Sequence, residues 1–329
     1  MREFTGYKKG INFGGWISQC SEYTKEHYDS FITAEDFVNV KNLGYDHIRV
    51  PMDYILIETD DYEFVESGFA YIDFAIENCR KNGLNMVLDL HRTPGYSFDP
   101  GHKEAGLFES EELQERFYDI WKELAKRYGD NYDMLTFELL NEVTDQSYQP
   151  TWNKMIRHTI ELIREVAPDI RIIVGGYNNN SVEAVRALDE PYDDKIVYTF
   201  HFYEPLIFTH QGAYWIETMD TEFRCPFEMT YGEYQEKSDK YLCQSFVDFN
   251  KYNQDAVLGE EFFEDLIMEA IKVSDERNVP LYCGEFGVID RASKEEAEKW
   301  YDFFYKFMDK YQIASAIWTY RKMDFGLVE

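Results

Sequence analysis

The 329-residue chain alternates short apolar runs with longer amphipathic segments. Eight of the runs are continuously apolar, which is typical of parallel strands covered on both faces. They span residues 10–16, 46–51, 85–91, 134–141, 170–176, 195–203, 279–287 and 313–320. Amphipathic segments between them end at Gly44 and Gly83, and helices commonly stop at glycine. The repeated strand–helix pattern predicts an α/β fold, a (β/α)₈ TIM barrel formed by residues 1–329 as one domain.

A doubly wound sheet is the alternative for such a pattern. That fold would place a glycine-rich phosphate loop of the form GxGxxG after the first strand. The first strand here reads GINFGGW, which does not match, and no helical segment follows it directly. The barrel is therefore the favoured architecture.

Two connections depart from a simple barrel. About residues 204–257 separate the sixth strand from its helix, and a connection of that length usually forms a functional lid or a small subdomain. Its many aromatic residues argue against disorder. After the eighth strand only RKMDFGLVE remains, where a complete barrel carries a closing helix. Either that helix has been trimmed from this chain or the fold lacks it.

The charge of the chain disfavours two classes of binding partner. A net charge of −30 repels nucleic acid and anionic membranes, so we expect neither as a partner and expect a soluble monomer. No apolar leader precedes the first strand, which predicts a cytoplasmic protein as written, or a secreted one if a leader was removed. An odd number of cysteines without a CxxC pair argues against disulfides and zinc: Cys20, Cys79, Cys225, Cys243 and Cys283.

Polar or aromatic residues end six of the predicted strands. In TIM barrels the active site forms at the C-terminal ends of the strands. Glu142 and Glu285 follow strands four and seven, which lie on opposite sides of the barrel mouth. Paired carboxylates are what glycoside hydrolysis requires, about 5–5.5 Å apart for retention and about 6.5–9.5 Å apart for inversion. The strand-end residues are Arg49, His91, Asn141 with Glu142, His201 with Tyr203, Glu285, and Trp318.

Other interpretations of these residues stay open. His91 and His201 fit core histidines, or metal ligands together with the glutamates. The first strand lacks the HxH of zinc-dependent barrels, so we expect neither metal nor cofactor. Arg49 alone fits a structural ion pair and Trp318 a core residue, whereas Glu138 is predicted to be structural, inside the barrel wall. A non-catalytic carbohydrate-binding barrel would normally lack one of the two glutamates.

Several motifs together resemble glycoside hydrolase family 5, a family of retaining barrel hydrolases, over nearly the whole chain: GINFGGWIS, HIRVP, VLDLH, FELLNEV, HFYEP, FTHQGAYW, CGEFGV and AIWTY. The resemblance implies a cellulase, a retaining endo-β-1,4-glucanase that cleaves cellulose-type and mixed-linkage β-glucans through a covalent glycosyl-enzyme. A β-mannanase and an exo-β-1,3-glucanase are the alternatives, because they share the same catalytic set.

The resemblance also implies a role for each strand-end residue. Glu142 is the expected acid/base and Glu285 the expected nucleophile. Arg49 and Tyr203 would support the nucleophile, His91 and His201 would position the sugar and the acid/base, Asn141 would bind the sugar 2-hydroxyl, and Trp318 would form the floor. Residues further out are predicted to contact successive sugar rings: Asn12, Trp16, Tyr96, Phe208, His210 and Trp215.

Overall fold

The computed structural model describes residues 2–99, 104–243 and 247–328. Eight strands, each parallel to both of its neighbours, close into a barrel in the order β1 to β8. The predicted (β/α)₈ architecture is confirmed. The strands are β1 (Lys9–Asn12), β2 (His47–Asp53), β3 (Asn85–Arg92), β4 (Leu135–Glu138), β5 (Arg171–Val174), β6 (Ile196–Phe202), β7 (Leu281–Phe286) and β8 (Ala314–Ile317).

Helices cover the outside of the barrel, with apolar faces toward the strands and acidic residues in most first turns, where they complement the helix dipole. As predicted, α3 ends at Gly83, which adopts a left-handed conformation with φ 62°. The helices are α1 (Lys25–Phe31), α2 (Ala34–Asn42), α3 (Glu66–Asn82), α4 (Glu111–Tyr128), α5 (Gln149–Val166), α6 (Tyr177–Asn180), α7 (Leu206–Thr209), α8 (Tyr231–Tyr241), α9 (Glu260–Arg277) and α10 (Lys294–Tyr311).

The strands are shorter than their apolar runs. β1 ends at Asn12 because Gly14 and Gly15 follow, and Gly15 turns the chain with a φ of 78°. Gly14 also allows the close approach of Trp318, since a Cβ at Gly14 would lie 2.7 Å from the indole ring. β4 ends at Glu138, so Asn141 and Glu142 lie on the loop beyond it, still at the barrel mouth.

The two ends of the barrel differ in chemistry. Near the N-terminal end, Phe4 and Tyr7 stack with centroids 4.1 Å apart and pack with apolar side chains such as Val87 and Ile173. The Tyr7 hydroxyl donates to the backbone carbonyl of Met134 at 2.8 Å. That end is therefore closed by core packing, and the polar strand-end residues gather at the opposite, C-terminal end.

The long β6–α9 connection contains α7 and α8 and packs on the barrel through aromatic residues. Tyr234 of α8 stacks on Phe249, and Phe249 stacks on Phe262 of α9 with centroids 5.7 Å apart. That this segment acts as a lid or subdomain stays a prediction. Beyond β8, the described residues fold back, and the Val328 backbone N–H donates to the Tyr320 carbonyl at 3.0 Å. Across the described ranges, no helix combines the length and apolarity needed to span a membrane.

Candidate active site

Arg49 of β2 is fully buried in the barrel mouth among acceptors from neighbouring strands. Its Nε and Nη2 donate to Glu138 at 2.7 and 3.0 Å, and Nη2 also donates to Asn141 Oδ1 at 2.8 Å. Asp89 Oδ2 lies 3.0 Å from Nη2, and Asn12 Oδ1 accepts from Nη1 at 3.0 Å. Burial acts to lower the pKa of Arg49, but the surrounding carboxylates hold it well above its usual value. Glu138 is structural, as predicted.

Glu285, near the end of β7, faces this cation directly. Its Oε1 accepts from Arg49 Nη1 at 2.8 Å and its Oε2 accepts from the Tyr203 hydroxyl at 3.0 Å. Burial, with the Glu285 charge adding to it, raises the pKa of Tyr203 well above its usual value, so Tyr203 remains a hydroxyl donor. The structure thus places Arg49 and Tyr203 on the two oxygens of the predicted nucleophile.

Glu142, on the loop after β4, also has a partner for each oxygen. Its Oε1 lies 2.7 Å from His201 Nδ1, and its Oε2 accepts from Asn179 Nδ2 at 2.8 Å. Burial raises the pKa of Glu142, and the hydrogen bond from Asn179 acts in the opposite direction. Burial also lowers the pKa of His201 to about 4, so its imidazole is neutral near pH 7. The predicted acid/base is therefore held by neutral groups.

The two glutamates lie close together across the mouth. One carboxylate oxygen of each, together with a His201 ring nitrogen, fall within 4.8 Å of one another. An approach of two carboxylate oxygens to within 4.8 Å fits the roughly 5–5.5 Å between the carboxyls of retaining glycosidases better than the roughly 6.5–9.5 Å of inverting ones. The same three groups are the candidate metal ligands, but Glu285 already faces the Arg49 guanidinium. A cation so close disfavours a second positive charge there.

His91 and Trp318 form a flat wall beside the glutamates. Their rings are parallel, with centroids 5.8 Å apart. His91 Nδ1 lies 2.6 Å from Asp89 Oδ2, and burial raises the pKa of Asp89 to about 7. Burial lowers the pKa of His91 to about 4. The wall is thus uncharged at its cleft face and suits the apolar C–H face of a sugar ring.

A cleft with a volume of about 530 Å³ lies over these residues. Gln19, Phe98 and Trp318 line it beside β1, β3 and β8, whereas Asn179, Val182 and Leu206 line it beside β5 and β6. The long connection also contributes Glu204, His210, Trp215 and Val247 to the lining. Trp215 is 46% exposed, as a stacking platform at the edge of a cleft would be. His210 and Trp215 therefore lie where residues that contact an outer sugar ring must lie, and the contact itself stays a prediction.

Two other outer predictions are corrected by the structure. Asn12 is fully buried, and its Nδ2 donates to the backbone carbonyls of Gly284 and Ala316 at 3.0 and 3.2 Å. Trp16 is fully buried as well, and its Nε1 donates to the Tyr28 carbonyl at 2.9 Å. Both side chains point into the fold rather than into the cleft, so they brace the barrel instead of contacting a sugar.

Tyr96 and Phe208 are also corrected. The Tyr96 hydroxyl donates to the Glu142 carbonyl at 2.8 Å and accepts from the Thr144 backbone N–H at 2.7 Å, so it supports the loop that carries Glu142. Phe208 is fully buried and packs on Phe227 with centroids 5.4 Å apart. Neither ring lines the cleft.

The strand-end pattern did not predict several residues that the structure brings to the cleft, and two of these have polar side chains beside the predicted set. Asn179 contacts Glu142 as described above and follows β5, the one strand between β2 and β8 whose end received no prediction. Gln19 lines the cleft, its backbone N–H donates to Asp53 Oδ2 at 3.2 Å, and its Oε1 is buried with no hydrogen-bond partner among the described residues. The run of three asparagines after β5 was the available signal for Asn179.

Comparison with known proteins gives a consistent picture. Residues 7–324 match the family described as Cellulase (glycosyl hydrolase family 5). The chain is 40% identical to Cellodextrinase A of Ruminococcus flavefaciens over 98% of this chain and 88% of that protein. It is also 40% identical to Endoglucanase C of Acetivibrio thermocellus over 98% of this chain and 93% of that protein.

A solved structure agrees with these sequence relatives. Endoglucanase Cel5A of Thermotoga maritima superimposes with a TM-score of 0.76 at 26% identity, over 98% of this chain and 92% of that one. The family match covers the strand-end residues at the mouth as well as the barrel that holds them. The chain therefore belongs to the cellulase family, glycosyl hydrolase family 5.

Proposed function

We propose that this protein is an endo-β-1,4-glucanase that hydrolyses cellulose-type and mixed-linkage β-glucans with retention of anomeric configuration. The observation that carries the proposal is the approach of Glu142 and Glu285 to within 4.8 Å across the barrel mouth, with a full cation on one and neutral groups on the other. Two carboxyl groups in different environments can take different roles, here Glu285 as the nucleophile and Glu142 as the acid.

In the first step Glu285 attacks the anomeric carbon while Glu142 gives its proton to the glycosidic oxygen. The carbon–oxygen bond to the leaving chain breaks and an ester to Glu285 forms. Arg49 and Tyr203 hold and orient the attacking carboxylate through one hydrogen bond to each of its oxygens. Burial raises the pKa of Glu142, which favours the protonated form that this step needs.

In the second step Glu142, now ionised, takes a proton from water, and the water oxygen replaces Glu285 at the anomeric carbon. The product hydroxyl lies on the same face as the original bond, because two displacements occur. Asn141 Nδ2 is buried and has no hydrogen-bond partner among the described residues, so it is a free donor in the cleft that both glutamates line. We assign it to the sugar 2-hydroxyl, a contact that strengthens in the transition state.

The relatives support a β-1,4-glucan substrate, but their names imply substrates of different length. Endoglucanase C is named for internal cleavage and Cellodextrinase A for soluble oligomers, at the same identity to this chain. Action on short cellodextrins is therefore the second candidate. The exposed Trp215 at the edge of the cleft favours the longer substrate, because it offers a platform for sugars beyond the cleaved pair.

Hydrolysis of a substrate panel tests the proposal: carboxymethyl cellulose, barley β-glucan, laminarin, mannan and cellotetraose. We expect mixed short oligomers from the first two, with β-anomers observed first by NMR. Efficient cleavage of cellotetraose without cleavage of the polymers would favour the cellodextrinase. Mannan as the preferred substrate, or glucose alone from laminarin, would replace the endoglucanase with a β-mannanase or an exo-β-1,3-glucanase.

We further propose that the protein works as a monomer without nucleic-acid or membrane partners. The support is its net charge of −30, which makes copies repel one another and repels other polyanions. A molecular mass near 39 kDa from light scattering at low salt would agree, and twice that value would contradict it.

A further inference from the structure

Asn179 is the one residue beyond the predicted set that contacts a catalytic carboxylate in the described part of the chain. Its Nδ2 donates to Glu142 Oε2 at 2.8 Å, on the side of the carboxylate that His201 does not occupy. The family resemblance assigned no role to it. The effect of Asn179 on Glu142 depends on the backbone conformation that holds Asn179 and on the chemistry of the hydrogen bond.

The chain around Asn179 is held in an unusual conformation. Asn178 and Asn179 have φ values of 48° and 57°, and Asn180 has a φ of 54°, so three consecutive residues are left-handed. Asparagine tolerates this region better than other residues with a side chain. The Asn179 backbone N–H also donates to the carbonyl of Val143 at 2.9 Å. Backbone and side chain of one residue therefore fasten the β5 turn to the loop that carries Glu142.

The contact favours one protonation state of Glu142. An N–H donor stabilises a carboxylate more than a carboxyl group. Burial pushes the pKa of Glu142 upward, and the Asn179 hydrogen bond is the largest effect that opposes it. His201 supplies no positive charge near pH 7, since burial lowers its pKa to about 4. The ionised form of Glu142 thus depends on Asn179 more than on any formal cation in contact with it.

We propose that Asn179 is a positioning residue that holds the Glu142 carboxyl and stabilises the anion it becomes, so that it serves the proton-donating first step more than the second. The inference rests on the proposed two-step hydrolysis. In the first step Glu142 gives its proton to the leaving oxygen, and the Asn179 N–H stabilises the carboxylate that forms. In the second step Glu142 takes a proton from water, and a donor that stabilises the carboxylate makes it a weaker base, so the contact gives that step no help.

The test uses Asn179→Gly and Asn179→Asp. Glycine keeps the left-handed backbone without the side chain, and aspartate keeps the shape but replaces the donor with an acceptor. The matched control is Asn278→Gly, because Asn278 is an exposed, left-handed asparagine at the end of α9, just before β7 begins and so at the end of the barrel opposite the mouth. Thermal melts of all three variants establish that each is folded before kinetics are compared.

The substrate is 2,4-dinitrophenyl β-cellobioside, whose leaving group departs without acid assistance. We expect both Asn179 variants to keep kcat/KM on this substrate within about twofold of wild type, because kcat/KM reports the first step and that step needs no acid here. On cellotetraose, whose leaving group needs the proton of Glu142, their kcat/KM should fall about tenfold, the scale of a hydrogen bond to a charged group. The basic limb of their kcat/KM profile on cellotetraose should move to higher pH, further for aspartate than for glycine.

A merely structural role would lower kcat/KM on both substrates to the same extent, without a shift of the basic limb. That result, or kinetics like those of Asn278→Gly, would overturn the inference while leaving the proposed function intact. A wild-type enzyme without turnover of β-cellobiosides or cellotetraose would instead overturn the proposed function and this inference with it.

Discussion

His201 Nδ1 lies 2.7 Å from Glu142 Oε1, and the same nitrogen lies 3.7 Å from Glu285 Oε2. One imidazole ring therefore stands between the two carboxyl groups. Because burial lowers its pKa to about 4, the ring adds no charge between them near pH 7. The difference between the two glutamates then comes from Arg49 on one side and Asn179 on the other.

Replacing Glu285 with alanine removes the attacking group. We expect Glu285→Ala to lower kcat by roughly 10⁵-fold, the scale on which enzymes lose activity with their nucleophile. Azide should enter the vacated space beside Arg49 and attack directly, giving an α-glycosyl azide that NMR detects. Rescue of Glu142→Ala with that same inverted product would exchange the two assigned roles.

Replacing Glu142 with glutamine keeps its size and removes its proton. We expect Glu142→Gln to lower kcat on cellotetraose by about 10²–10⁴-fold, the usual contribution of a general acid. Binding of cellotetraose, measured by calorimetry, should change little, because the substitution leaves Arg49, Trp318 and their contacts in place. Near-normal turnover of cellotetraose would contradict the acid/base assignment.

Replacing Arg49 with methionine leaves buried carboxylates without their cation. We expect Arg49→Met to lower the free energy of unfolding by about 3–5 kcal/mol, the cost of breaking a buried ion pair. Urea unfolding followed by circular dichroism measures it. The control is Arg80→Met, which breaks an ion pair with Asp133 that is half exposed and should cost at most about 1 kcal/mol. Equal effects of the two variants would refute the structural weight given to Arg49.

Buried histidines should weaken the fold in acid. His91, His201 and His210 each have a pKa lowered by burial to about 4, against about 6.5 in an unfolded chain. The unfolded state therefore binds more protons, and the stability that the neutral rings confer, fully present above pH 6.5, is lost as the pH falls toward 4.

His210→Gln isolates this effect from the buried carboxyls, which respond to pH in the opposite sense. We expect the variant to lose less stability than wild type between pH 7 and pH 4.5 in urea titrations. His158→Gln, at an exposed histidine, is the control and should follow wild type. Parallel stability curves for all three proteins would contradict the prediction.

Metal removal distinguishes this chemistry from that of a metal-dependent hydrolase. Glu142, His201 and Glu285 have the composition of a metal site, but the Arg49 guanidinium on Glu285 opposes a further cation. We expect dialysis against EDTA to leave kcat on cellotetraose unchanged. Loss of activity that returns with added Zn²⁺ would favour the metal-dependent alternative.

The barrel was predictable because burial on both faces forces long apolar runs into the parallel strands, and the strand-end rule then located the mouth residues. Side-chain direction was not predictable to the same degree. Asn12 and Trp16 lie where cleft residues belong, but their hydrogen bonds to Gly284 and Tyr28 draw them inward. Neighbouring strand positions face opposite ways, so an error of one position exchanges cleft for core.

Asn179 could not be found by that rule. Two glycines follow the end of β5 at Val174, and the functional amide lies on a left-handed turn beyond them. The separation of the two glutamates also depends on the closure and tilt of the barrel rather than on local sequence, because Glu142 and Glu285 belong to elements that never pair directly. Only the assembled structure gives that distance.

The partners of Arg49 lie on or next to β1, β3, β4 and β7, so a single side chain ties together strands from both halves of the chain. A barrel opened at any seam between them would leave the nucleophile without its cation. Substrate turnover therefore depends on barrel closure. We expect partly unfolded forms of this enzyme to be inactive, so that activity is lost on heating as the sheet opens, before the helices melt.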